Sequence, residues 1–191
     1  MSAVMTNLLP RHRISVDEYY RMSEVGLLAP DVRTELIEGE VIEMASMGSP
    51  HAGTVGQLNH LFVPVLGHAA QIRVQLPVRL NSYSEPQPDL AVVLPRKDFY
   101  RGRHPGPSDT LLIVEVSQSS LRLDRDVKIP LYARHQVPEV WLLDLGQDRI
   151  HFFRFPQDGA YTDVSFTDEP KPIELAALPG VKVDLSGLFA A

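Results

Sequence analysis

The chain has 191 residues, of which 44% are hydrophobic and 22% charged, with a net charge of −6 at pH 7. That is the balance of one soluble domain with a substantial core. The absence of cysteine excludes disulfides, thiol catalysis and Cys-ligated metal centres, and the acidic total weighs mildly against nucleic acid as a partner.

Residues 1–10 lack a basic region followed by an apolar core, so no secretory signal is expected. No apolar run approaches the roughly 20 residues of a bilayer span, which makes a cytoplasmic protein the expectation. Ser15 to Met22 predicts a short helix, with Ser15 and Glu18 spaced as a capping box. Glu35–Ile37 and Val41–Met44 flank Glu38 and Gly39, a hairpin signal. Ser49 and Pro50 open a helix running from His51 to about Ala70, with Val55, Leu58, Leu61, Phe62, Val65 and Leu66 as its apolar stripe. Pro64 marks a kink or an early end. Strands are predicted over Val74–Leu80 and Asp89–Leu94, then a polar loop over Pro95–Asp109.

Thr110–Val116 is apolar on both faces and reads as a buried central strand. A helix follows from Leu123 to Arg134, with Pro130 bending it or lying near its first turn. Strands Glu139–Asp144 and Arg149–Phe155 meet at the turn 146–148. The tail alternates weakly and should close a sheet edge. The pattern is α/β, a mixed central β-sheet flanked by α-helices.

Glu115 stands out because a carboxylate inside a core strand is costly unless paired, hydrogen-bonded or bound to a metal. Asp89 lies at the mouth of a second apolar strand, and Lys128 lies on the next helix. No G-x-S-x-G elbow, phosphate-binding loop, G-x-G-x-x-G or H-E-x-x-H motif competes for the chemistry. Carboxylate oxygens favour Mg²⁺ or Mn²⁺, and the Val116 carbonyl could add another oxygen. Simpler roles exist for each residue: Asp89 could cap a loop after Pro88, and Lys128 could pair with Asp124 on an exposed helix face. Arg96, Lys97, Arg101 and Arg103 stand against Asp98 in one segment, which taken by itself reads as a solvated loop.

Three segments, Ile113–Ser120, Asp124–Lys128 and Tyr132–Asp144, resemble the Uma2 family (DUF820). Its members are described as candidate restriction endonucleases of the PD-(D/E)XK nuclease superfamily. The resemblance extends upstream through Glu35–Glu40, Ser49–His51 and Pro88–Leu90. It covers roughly residues 12–155 of a single domain spanning 1–191, with 156–191 as a sheet-edge extension.

The resemblance implies a restriction-endonuclease-like core and a Mg²⁺-dependent endonuclease acting on DNA. Asp89 and Glu115, with Val116, would be the metal ligands, and Glu35 would match an acid on an N-terminal element. The superfamily usually places its lysine two residues after the second acid, where this chain has Ser117; Lys128 on the following helix would take that role and activate water. The basic loop Arg96–Arg103 would then contact phosphates, and a homodimer is implied. His51 and Asp124 are read as structural, Asp124 as a helix cap, and Trp141 as core or interface. Two rivals are a catalytically inactive nucleic-acid-binding or assembly module of the same fold and a hydrolase of small phosphoesters.

Overall fold

The computed structural model describes residues 11–190; residues 1–10, read above for a secretory signal, lie outside that range. Helix α1 (Val16–Glu24) begins at a complete capping box, in which Ser15 and Glu18 exchange side-chain and backbone bonds. Strands β1 (Thr34–Ile37) and β2 (Glu40–Glu43) form a hairpin. Its turn has positive φ at both Glu38 (51°) and Gly39 (86°), the geometry that suits the twist of paired strands. A Cβ at Gly39 would lie 2.7 Å from the Arg13 Cβ. Gly39→Ala is therefore expected to cost at least about 1–2 kcal/mol, measurable as a lower midpoint in urea with unchanged slope.

Helix α2 (Ser49–Leu66) starts with Pro50 in its first turn and tolerates Pro64 inside. It stops at Leu66 rather than near Ala70, because the next residue, Gly67, has φ +50°. Strand β3 (Gln71–Val74) is shorter and earlier than the predicted Val74–Leu80. Gln75 at φ 51° ends it, and Pro77 would bring no donor to a ladder. The main sheet continues with β4 (Leu90–Val93), β5 (Thr110–Ser117), β6 (Glu139–Asp144), β7 (Arg149–Gln157) and β8 (Ala160–Thr167). Its order is β3-β4-β5-β6-β7-β8; β5 and β6 run parallel and the other neighbours antiparallel. The fold is thus the mixed-sheet α/β arrangement expected.

Between β5 and β6 the chain forms one helical run: α3 (Leu121–Leu123), a π-helical segment (Asp124–Lys128) and α4 (Ile129–Arg134). The Ile129 N–H donates to the Asp124 carbonyl five residues back. This wider turn stands directly before Pro130, which has no N–H to give. Alternation along the central strands divides the core. Leu90, Val92, Leu112, Val114 and Val116 pack toward α2, whereas Ala91, Val93 and Ile113 pack toward α4. Trp141 is fully buried on the α2 side, against Phe62 and Phe152.

Beyond β8, which forms the sheet edge, β9 (Pro172–Glu174) and β10 (Lys182–Asp184) make a separate hairpin. Leu175, Val183, Leu185 and Leu188 complete the α2-side core. The hairpin region thus packs on the core through these four side chains, and β8, within 156–191, forms the sheet edge. Among the described residues no helix is long and apolar enough to cross a membrane.

Candidate active site

The site arises where β5 outruns β4. The last β4–β5 pair is Leu90 with Val114, while β5 continues along β6 to Ser117. The β4 side of Glu115–Ser117 is therefore open, and Asp89, one residue before β4, fills it. Val116 N–H donates to Asp89 Oδ2 at 2.9 Å. A strand residue's N–H and C=O point to the same side, so the Val116 carbonyl faces the same opening. Glu115 alternates onto the α4 face, toward the helical run.

Glu115, Glu35 and Lys128 are all nearly inaccessible. Lys128 Nζ lies 3.2 Å from Glu35 Oε2, 3.3 Å from Glu115 Oε1 and 3.7 Å from Asp124 Oδ1. The Tyr132 hydroxyl, one turn beyond Lys128, donates to Glu115 Oε1 at 2.6 Å. Gln87 N–H donates to Glu35 Oε2, and the Ser117 and Ser120 hydroxyls donate to Asp124 Oδ2. Asp89 Oδ1 is 2.9 Å from His51 Nε2 and receives Gln75 Nε2 at 3.1 Å. Arg33, Gln118 and Ser119 line the same cleft.

Burial pushes the Glu115 carboxyl up to about 8; Lys128 pulls the other way but is outweighed once the neighbouring carboxylates are included. Burial disfavours the charge on Lys128, yet Glu115, Glu35 and Asp124 together hold it above its usual range. Burial, with the Glu115 carboxyl next, raises Tyr132. For Asp89, burial acts upward but is overcome by hydrogen bonds from His51 and the Val116 N–H, leaving it below the usual carboxylate range. The hydrogen bond to Asp89 raises His51.

Among the described residues no three His, Asp or Glu side chains are grouped as a ready-made metal cluster. The donor set nevertheless fits a hard divalent ion that keeps its own waters, since Mg²⁺ is commonly held by one or two carboxylates plus water and phosphate. Glu115 lines the cleft, and its Oε2 receives no hydrogen bond from the described residues. Glu35, Asp89, Glu115 and Asp124 bring four carboxyl groups beside Lys128, His51 and Arg33, and a bound cation would favour their ionised forms.

Asp89, Glu115, Val116, Lys128 and Glu35 thus converge. Glu35 reaches Lys128 from the β1 hairpin. The buried Lys128 is not the exposed partner of Asp124 considered above. Asp124 caps nothing: it is buried inside the helical run, fixed by two serine hydroxyls. Ser117, at the superfamily's usual lysine position, is one of these two. Tyr132, His51 and Gln75 were not anticipated as site residues, although Tyr132 lies at i+4 from Lys128 and so on the same helix face.

The basic loop lies elsewhere. It joins the other ends of β4 and β5, about 13 Å from Asp89 at ~3.3 Å of rise per strand residue. Arg96 is held by Asp98 at 2.8 Å and Arg103 by Asp109 at 2.6 Å. Lys97 and Arg101 are exposed, with no ion-pair partner among the described residues.

Comparison with known proteins bears on the fold and the family. No curated protein matches the chain. The crystal structure of "a putative nuclease belonging to DUF820" from Anabaena variabilis ATCC 29413 is similar, with a TM-score of 0.69 and 17% identity over 93% of this chain and 98% of that one. At that identity the likeness establishes the fold. The family model Uma2, described as "Putative restriction endonuclease", matches residues 16–186. With the match running from α1 through the C-terminal hairpin, the chain belongs to the Uma2 family.

Proposed function

We propose that this protein is a divalent-metal-dependent endonuclease that hydrolyses DNA phosphodiester bonds. The observation that carries the reading is the Glu35–Lys128–Glu115 contact, sealed in the core beside Asp89 at the open end of β5. Replacing buried ion pairs by apolar residues is often neutral or stabilising, so packing alone does not call for this cluster. Membership in a family described as "Putative restriction endonuclease" supports the same reading.

Asp89, Glu115 and the Val116 carbonyl would hold Mg²⁺ or Mn²⁺. Such an ion supplies Lewis-acid polarisation of a phosphoryl oxygen and a lowered pKa for water. Lys128, fixed by Glu35, would orient the attacking water and offset charge developing on the phosphate. Tyr132 fixes one Glu115 oxygen and leaves the other toward the cleft. His51 and Gln75 hold the Asp89 carboxylate in place. Lys97 and Arg101 are the loop cations free to meet phosphates. A homodimer would present two clefts, as cutting both strands requires, and a cytoplasmic setting suits a cysteine-free chain.

The test is cleavage of plasmid DNA by purified protein with and without Mg²⁺. DNA binding without cleavage in Mg²⁺ or Mn²⁺ would assign the chain to a non-catalytic module. Preference for a chromogenic phosphodiester over duplex DNA would assign it to small substrates. Asp89→Asn is expected to fold normally and lose Mn²⁺ binding by calorimetry; unchanged affinity would remove Asp89 from the ligand set.

A further inference from the structure

At the far end of β4 a second cluster gathers cations around one buried tyrosine. The guanidinium carbons of Arg73, Arg96 and Arg103 lie 5.6, 5.1 and 5.6 Å from the centre of the Tyr100 ring. Phe99 and Tyr100 are both left-handed, with φ of 51° and 60°. For non-glycine residues that costs on the order of 1–3 kcal/mol each and persists only where the surroundings demand it. Arg96 and Arg103 have carboxylate partners, but Arg73 and Arg101 have none among the described residues. Arg73 Nε is the one fully enclosed side-chain polar atom without a hydrogen-bond partner there.

The cluster opens into a pocket lined by Tyr20, Arg79, Arg101, Arg103 and His104 beside Tyr100. Arg73 Nη2 stands behind, 3.4 Å from His104 Nδ1. An arginine can only donate, so Nδ1 accepts and Nε2 carries the ring proton. That Nε2–H has no acceptor among the described residues. Glu85 already occupies Arg79 at 2.7 Å and takes the Tyr20 hydroxyl at 2.6 Å. The pocket therefore offers unspent donors and positive charge in a chain that is acidic overall.

We infer that this pocket is a second, non-catalytic phosphate site, which seats a backbone phosphate of the nucleic-acid strand running to the acidic cleft. Planar guanidinium forks match phosphate oxygens in pairs. The pocket lies beyond the end of β4 opposite Asp89, so a bound strand would span several nucleotides to reach both it and the cleft. The source of the phosphate rests on the nuclease reading above; the phosphate chemistry of the pocket does not.

Anisotropy of a labelled duplex in EDTA, where no cleavage intrudes, tests the seat as salt is varied. Arg101→Gln, an exposed change that leaves the fold alone, is expected to weaken binding and flatten the log–log salt slope by about one unit. Arg101→Gln combined with His104→Ala is expected to weaken it further. In a parallel arm, inorganic phosphate should shift the His104 ring resonances of the wild type and not those of Arg101→Gln. Phosphate shifts with an unchanged DNA slope would mean a free phosphate or nucleotide occupies the pocket, overturning the strand assignment. No shift and no change in slope would overturn the site altogether. A flattened slope in a protein that never cuts DNA would sustain the seat while refuting the nuclease.

Discussion

Replacing Lys128 with methionine is expected to lower stability by about 3–5 kcal/mol, because it leaves buried carboxylates without their shared counter-charge. An exposed i,i+4 pair with Asp124 would have been worth only ~0.3–0.5 kcal/mol. The structure separates the two cases: Lys128 is 3% exposed and lies within 3.7 Å of Glu35, Glu115 and Asp124. Under conditions where the variant remains folded, single-turnover cleavage is expected to fall by on the order of 100-fold or more, since the ammonium acts on charge that develops in the transition state. Lys128→Arg should not restore the rate, because a planar guanidinium cannot replace a compact ammonium in a closed cluster. Urea denaturation and single-turnover kinetics measure the two effects separately. A stability loss below about 1 kcal/mol would contradict the buried cluster, and a wild-type rate would contradict the role in cleavage.

That contrast shows what the sequence could and could not carry. Glu115 was legible because every neighbour on its strand is apolar, so its charge needed a reason. Lys128 was a candidate from its place on the helix after Glu115, but spacing alone also allowed an exposed pair with Asp124, and the family resemblance favoured the site. The reason is the π-helical segment, where one wider turn before Pro130 accompanies the burial of both Asp124 and Lys128. Nothing in local periodicity announces such a turn. The Tyr132 and Gln75 contacts depend on how a helix meets a strand, and how two strand ends meet, across 17 and 14 residues of separation, which propensity does not encode. The pairing of the loop arginines was hidden for a related reason. Asp109, the partner of Arg103, lies six residues away, at the end of the polar loop. Its carboxylate stands outside the Arg96–Arg103 segment. The Val74–Leu80 run looks extended in sequence, but the left-handed Gln75 that ends β3 shows only in the folded backbone.

Glu115→Gln is expected to act in the opposite direction on stability while also stopping cleavage. Burial raises the folded-state value of Glu115 to about 8 from an ordinary 4.5. A carboxyl raised in this way weakens the fold progressively as pH climbs from its unfolded value toward its folded one. The amide carries no such penalty. The variant should therefore match the wild type near pH 4 and gain with rising pH, by on the order of 1–3 kcal/mol at pH 7. Its Oε1 can still accept the Tyr132 hydroxyl and Lys128, so the local packing survives. What disappears is the ionisable carboxyl whose Oε2 faces the cleft and that a bound cation would hold ionised. Mn²⁺ binding should be lost, and cleavage should drop by roughly 10²–10³-fold or more. A more stable protein with less activity is the mark of a charge kept in the core for chemistry rather than for folding. The double variant Glu115→Gln/Lys128→Met sharpens the test, because residues in contact do not contribute additively. With one fewer buried carboxyl left unpaired, it should be more stable than Lys128→Met alone. Thermal unfolding across pH 4–8, Mn²⁺ calorimetry and plasmid cleavage on the same samples decide the matter. Equal stability of Glu115→Gln and wild type at every pH would show that Glu115 bears no burial penalty. Retained Mn²⁺ binding with full cleavage would remove it from the site.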